Sequence, residues 1–185
     1  MEIYLIRHTA VQAPGICYGH YDVPLADTFA AEAAQLRTKL PPLPYRVFSS
    51  PAQRCVALAT TVATELTLDE RLREMHFGAW ENRLWNDLPL DETAPWMADY
   101  VTLAPPNGET FGAVQQRAAA FLTELTTTAV EEPTLVFTHG GTIRALVCHC
   151  LEIPLRNAFQ LQIEYASVTK LRLQHARWQL VSLNQ

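Results

Sequence analysis

Residues 134–150 read TLVFTHGGTIRALVCHC, and the reading of this stretch decides the fold. Thr134–Thr138 is a short apolar run of the kind that forms a buried strand. It passes through Gly140 and Gly141 into a helix expected over about Thr142–Leu151. A helix that starts behind two glycines leaves backbone N–H groups free near His139 and points its positive dipole end at the same place, where an anion would be stabilised. Glycine pairs between strand and helix also serve plain packing, so the stretch alone leaves both readings open.

Outward from this unit the chain continues the same alternation. Upstream, Phe111, Val114, Ala118, Phe121 and Leu125 recur at helical spacing and predict a helix over Thr110–Thr128, which leads as a crossover into a parallel sheet. At the amino end, Glu2–Ile6 is a second buried strand, ending at Arg7 and His8. A helix is expected over Phe29–Leu40, capped by Asp27 or Thr28. Arg46–Ser49 is a third strand, followed by SSPAQRCVALATTVATEL, in which Ser50, Pro51 and Gln53 read as a cap, a first-turn proline and a capping-box partner. Leu72–Leu88 is mixed in pattern, and a helix is expected over Asp91–Val101. Downstream, SVTKLRLQ and RWQLVSLN alternate and predict an antiparallel pair at a sheet edge. The class is α/β, a mostly parallel central sheet with helices on both faces.

With 185 residues, 49% of them hydrophobic, the chain suffices for one sizeable core and is read as a single domain over 1–185. A charged fraction of 18% and a net charge of -5 give no global positive field for a nucleic acid backbone or an anionic membrane, so any anion site must be local. The apolar run in MEIYLIRH is too short for a secretory signal or a membrane span, and the expected location is the cytoplasm. There Cys17, Cys55, Cys148 and Cys150 are expected as thiols. Cys148 and Cys150 flank His149 but lack the spacing of a zinc motif, and they read as buried small hydrophobes on a helix face. No metal and no cofactor is expected.

Ligands of open α/β sheets bind beyond the carboxyl ends of the strands. Arg7 and His8 follow the first strand, Arg54 lies just beyond the next, and His139 follows Thr134–Thr138. Two guanidinium groups and two imidazoles match what a phosphoryl group requires: forked donors to its oxygens, and a ring that serves as donor, base or nucleophile.

Four segments, MEIYLIRH, SSPAQR, LREMHFGAWE and FTHGG, stand in the order and approximate spacing of the histidine phosphatase superfamily, the phosphoglycerate-mutase-like enzymes, which the chain resembles over essentially its whole length. GICYGHYDVPLA and the short chain look most like the alpha-ribazole phosphatase branch, which acts in nucleotide-loop assembly of cobalamin. The resemblance implies that His8 is the nucleophile and that Arg7, Arg54, His139 and Gly140 surround the phosphate. It implies that Glu74 protonates the leaving oxygen and then activates water, without a metal. Glu81 is the rival acid but fits the later WE position of the motif. For attack, the second ring nitrogen of His8 must donate to a fixed acceptor, expected to be a backbone carbonyl.

His20, His76, His149 and His175 have no comparable partners. Trp80, Tyr18 and Tyr21 are candidates either to stack on a substrate ring or to cover core edges. Thr9 stands where the family usually has glycine, with Ala10 and Val11 in place of polar residues, and this bears on substrate range. Asn82 also replaces a glycine, and it tolerates left-handed backbone angles. The expected ligand is a small phosphorylated metabolite. Competing readings are a broad-specificity phosphatase, a phosphoglycerate mutase, against which the short run after Glu74 argues, and a noncatalytic module that binds a phosphorylated ligand. Edge strands permit a homodimer without demanding one, so monomer and dimer stay open.

Overall fold

A computed structural model of the chain describes residues 1–127 and 132–185. In chain order the strands and α-helices are β1 (Glu2–Arg7), β2 (Ile16–Cys17), α1 (Phe29–Arg37), β3 (Arg46–Ser49), α2 (Gln53–Ala59), β4 (Thr67–Leu68), β5 (Arg83–Leu84), α3 (Leu90–Ala98), α4 (Phe111–Thr127), β6 (Thr134–Thr138), α5 (Gly140–Cys150), β7 (Val168–Gln174) and β8 (Arg177–Ser182).

Six of the strands form one sheet in the order β4-β3-β6-β1-β7-β8. The first four run parallel, while β7 and β8 are antiparallel and close one edge. Successive side chains of a strand point to opposite faces, and the two faces collect different helices. Ile3, Leu5, Val136 and Leu171 pack with Phe121 and Leu122 of α4 and Ile143, Leu146 and Val147 of α5. Tyr4, Ile6, Leu135 and Phe137 pack with Leu36 of α1 and Cys55 and Leu58 of α2. Covered on both sides, β6 is buried along its whole length, whereas the edge strand β8 alternates exposed and half-buried residues. The expected α/β class, with helices on both faces and an antiparallel pair near the carboxyl end, is the observed one.

Helix ends differ from expectation where local signals meet tertiary partners. α1 stops at Arg37 rather than Leu40, because Leu40 precedes Pro41 and that position disfavours helical angles. Thr28 sits at its N-cap without a side-chain cap; its hydroxyl donates to Glu32 instead (2.5 Å). The capping box at Ser50 does not form. α2 begins at Gln53 with Ala52 as N-cap, and Ser50 is drawn back to accept from the Ala52 amide and to contact His139. Thr60 and Thr61 then turn their hydroxyls on the Ala57 and Leu58 carbonyls, which ends the helix. α3 spans Leu90–Ala98 instead of Asp91–Val101. α4 matches the expected helix from Phe111 to Thr127, while its expected last residue, Thr128, lies outside the described residues.

A third apolar cluster fills the space beside α4 and α5 with residues of the mixed segment, among them Met75, Trp80, Leu88, Trp96 and Phe111. It fixes the loops that carry Glu74 and Glu81 against the carboxyl ends of the strands.

Candidate active site

Register alone brings the two histidines together. Arg7 pairs with Thr138 across β1 and β6, so the residues that follow, His8 and His139, leave the sheet side by side, and the His8 amide donates to the Thr138 carbonyl (3.0 Å). Their rings lie edge to face with centroids 5.3 Å apart. His8 is buried, and its Nδ1 donates to the Thr9 carbonyl (2.8 Å). A carbonyl can only accept, so the proton of the neutral ring sits on Nδ1 and Nε2 keeps its lone pair. Burial, reinforced by the Arg54 and Arg7 charges, holds the His8 imidazole well below the usual histidine range, against the pull of the Thr9 carbonyl. His139 is held down in the same way by burial and then by Arg54, and its Nε2 lies 2.9 Å from the Ser50 hydroxyl.

Around these rings stand three guanidinium groups. Arg54, from the first turn of α2, is buried and donates to the carbonyls of Gly19 (2.6 Å) and Tyr21 (3.3 Å). Arg7 donates to the Ile163 carbonyl (2.6 Å) and stacks on the Tyr165 ring at 3.8 Å. The Nε of each is buried without a protein acceptor among the described residues. Leaving such a charged donor unmatched costs about 1–3 kcal/mol or more, a cost that an anionic acceptor would offset. The third is Arg144 on α5, which the sequence reading missed. Its Nε donates to the Leu161 carbonyl (2.8 Å), and burial with the nearby Arg7 charge lowers its proton affinity. Arg144 Nη1 and Arg7 Nε lie 3.1 and 3.2 Å from the point a β-carbon would occupy on Gly140, so both cations flank the first turn of α5. Helical spacing carried the signal, since Arg144 is one turn after Gly140 and shares its face.

α5 starts at Gly140 with His139 as N-cap, two residues earlier than expected. The Gly141 amide is therefore not free: it donates to Glu74 Oε2 (2.9 Å), while Met75 N donates to Oε1 (3.0 Å). A carboxylate at a helix N-terminus is favoured by the dipole and holds its place through the two amides. A β-carbon on Gly141 would approach Glu74 Oε1 to 2.3 Å, so the glycine is what admits the carboxylate. Glu81 points elsewhere, accepting from the backbone amides of His20 (2.9 Å), Phe77 (3.0 Å) and Tyr21.

Arg7, His8, Glu74, Gly141 and Arg144 line an open cleft whose outer wall is aromatic, built from Tyr18, Trp85, Trp96, Tyr100, Phe111 and Phe159. Arg54 and His139 are buried close to His8 and do not themselves line the open cleft. Of the aromatic candidates, Tyr18 lines the cleft, but Trp80 is a core residue donating to Glu92 (2.8 Å), and Tyr21 is surface-exposed and takes part through its backbone, its carbonyl accepting from Arg54 and its amide donating to Glu81. His20 and His76 stack on each other, centroids 4.6 Å apart, outside the cleft lining. Asn82 adopts φ 61°, the left-handed conformation that its predicted turn requires. Thr9 is fully buried, its hydroxyl without a protein partner among the described residues. All four cysteines are buried free thiols. Among the described residues no group of three or more His, Cys, Asp or Glu side chains is placed to hold a metal ion.

The family described as "Histidine phosphatase superfamily (branch 1)" matches residues 3–185. A provisionally named phosphoserine phosphatase 2 of Hydrogenobacter thermophilus is 30% identical over 194 residues, covering 100% of this chain and 95% of that one. The adenosylcobalamin/alpha-ribazole phosphatase of Escherichia coli K12 is 27% identical over 195 residues, covering 100% and 91%. Among solved structures, the alpha-ribazole phosphatase of Shigella flexneri superposes with a TM-score of 0.92 at 26% identity, covering 100% of this chain and 96% of that one.

Proposed function

The chain belongs to the histidine phosphatase superfamily, branch 1, and from that premise we propose that it hydrolyses a phosphomonoester through a phosphohistidine formed on His8. The observation that carries this reading is the setting of His8: buried, with Nδ1 2.8 Å from the Thr9 carbonyl so that a neutral ring keeps its proton there and its lone pair on Nε2, in the same cleft as Arg7 and Glu74.

A phosphate monoester resists attack because its charge repels nucleophiles and its alkoxide leaves badly. Arg7, Arg54 and Arg144 answer the first difficulty by matching the oxygens of the transferred group. Nε2 attacks phosphorus as the ester oxygen departs in line, and Glu74, which takes up a proton from solvent as the anionic ester binds beside it, passes that proton to the departing oxygen. The same carboxylate, now ionised, takes a proton from water as the water attacks phosphohistidine, which releases phosphate and restores the free imidazole. His139 and the amide of Gly140 complete the donor set. Each role belongs to a side chain or amide, so the reaction runs without a metal.

For the leaving group, the aromatic outer wall favours a planar, apolar body, and alpha-ribazole 5'-phosphate is the leading substrate on that ground and on the names of two similar proteins. Arg144 favours a second reading, an ester whose alcohol carries a carboxylate, such as phosphoserine, the substrate named for another similar protein. Hydrolysis of alpha-ribazole 5'-phosphate, phosphoserine, 3-phosphoglycerate and simple sugar phosphates under one set of conditions ranks these. Mutase turnover of 3-phosphoglycerate above hydrolysis would overturn the choice. His8→Ala is expected to abolish both turnover and the acid-labile phosphoenzyme while still binding phosphate; retained hydrolysis excludes His8 as nucleophile. Chelation is expected to leave activity unchanged, and a loss restored by a divalent ion overturns the metal-free mechanism.

A further inference from the structure

The rival acid of the motif, Glu81, has work of its own. We infer that Glu81 is a positioning residue that sets the grip of Arg54 on the phosphoryl group, an inference that rests on the phosphate site proposed above. The Glu81 side chain is 10% exposed and accepts three backbone amides, those of His20, Tyr21 and Phe77. These come from two separate segments, so one carboxylate ties the loop at 18–22 to the turn that follows Glu74.

That loop is what orients Arg54. Its carbonyls at Gly19 and Tyr21 receive both Nη groups, Asp22 lies 3.6 Å from Nη1, and the Tyr18 ring faces the guanidinium carbon at 5.2 Å. The loop also abuts the chain beside Glu74 without any slack, since a β-carbon on Gly19 would fall 1.8 Å from the Met75 carbonyl oxygen. Asn82, in its left-handed turn, donates to the Cys17 carbonyl (2.8 Å) and directs the preceding Glu81 back under the loop. A guanidinium whose protein acceptors all sit on one loop can hold its donors on phosphate only as steadily as that loop is held. Asp22 ties the loop to α2 by accepting from the Gln53 amide (3.1 Å), and Glu81 is the charged group that ties it to the turn after Glu74.

The test measures calorimetric binding of inorganic phosphate, and kcat/KM for p-nitrophenyl phosphate and for an alkyl phosphate, in Glu81→Gln, Arg54→Ala and the double variant; Glu81→Ala is added where it folds. Glutamine keeps the shape but offers an N–H₂ where a carboxylate oxygen accepted. Glu81→Gln is expected to weaken phosphate binding about tenfold and to lower kcat/KM equally for both esters, and in the Arg54→Ala background to change phosphate binding less than about twofold, since coupled residues are not additive. A loss confined to the alkyl ester would make Glu81 a proton donor, additive losses would make it a merely structural group, and unchanged phosphate binding would remove it altogether; each overturns the inference. Phosphate binding unchanged in Arg54→Ala would instead sink the phosphate site itself.

Discussion

Replacing Gly141 by alanine separates the placement of Glu74 from the stability of the fold. The added methyl would sit 2.3 Å from Glu74 Oε1, 3.0 Å from Cδ and 3.2 Å from Oε2. The carboxylate must retreat by about 1 Å to reach ordinary contact, and it then loses the 2.9 Å bond from the Gly141 amide. Misplacing a catalytic group by about 1 Å costs on the order of 10²-fold in rate, about 2.7 kcal/mol. The atoms displaced are the end of a flexible side chain, and alanine within a helix is favoured over glycine by about 0.5–1 kcal/mol. Thermal stability is therefore expected to stay level or rise while turnover falls. Single-turnover formation of the phosphoenzyme from an alkyl phosphate, beside thermal melts, reads both quantities. The loss should be smaller with p-nitrophenyl phosphate, whose phenolate leaves without a proton. Turnover of the alkyl ester within about twofold of wild type would refute the assignment of Glu74, and a lower melting temperature would mean that the methyl displaced α5 instead.

The two buried histidines make stability pH-dependent. Both are held well below their ordinary value in the fold, so above about pH 6.5 folded and unfolded chains bind protons alike. Below it the unfolded chain takes up protons that the fold excludes, and each histidine removes about 1.4 kcal/mol per pH unit until its folded value is reached. Urea denaturation between pH 7 and 5 should show this slope reduced in His8→Gln; an unchanged slope would mean that His8 is charged in the fold. Arg144→Ala is expected to raise KM for every phosphomonoester by a similar factor, on the order of tenfold, if Arg144 grips the phosphoryl group. A rise confined to phosphoserine and 3-phosphoglycerate would assign it to a carboxylate on the leaving group.

Strands were legible where composition and burial coincide. Thr134–Thr138 has the expected bounds because a strand buried on both faces carries an unbroken apolar run, and Arg46–Ser49 has them although only Val47 and Ser49 are buried. Helix ends were less legible, since capping is a competition among acceptors: the Ser50 hydroxyl that would cap α2 is turned toward His139, 89 residues away in sequence. The choice between Glu74 and Glu81 was of the same kind. Both carry the same carboxylate, and only the placement of Gly141, 67 residues beyond Glu74, puts one of them in the cleft.

The amino acid sequence by itself determined the layered α/β architecture and the kinds of residue at three strand ends, because periodicity and strand length record which faces are buried. Tertiary structure alone decided that Arg144 joins the cluster, that Trp85 and the core residue Trp96 line the cleft while Trp80 does not, and that Glu81 grips a loop. The physical reason is that burial leaves a local signature in the chain, whereas a hydrogen bond or a shared cleft depends on where two distant segments come to rest.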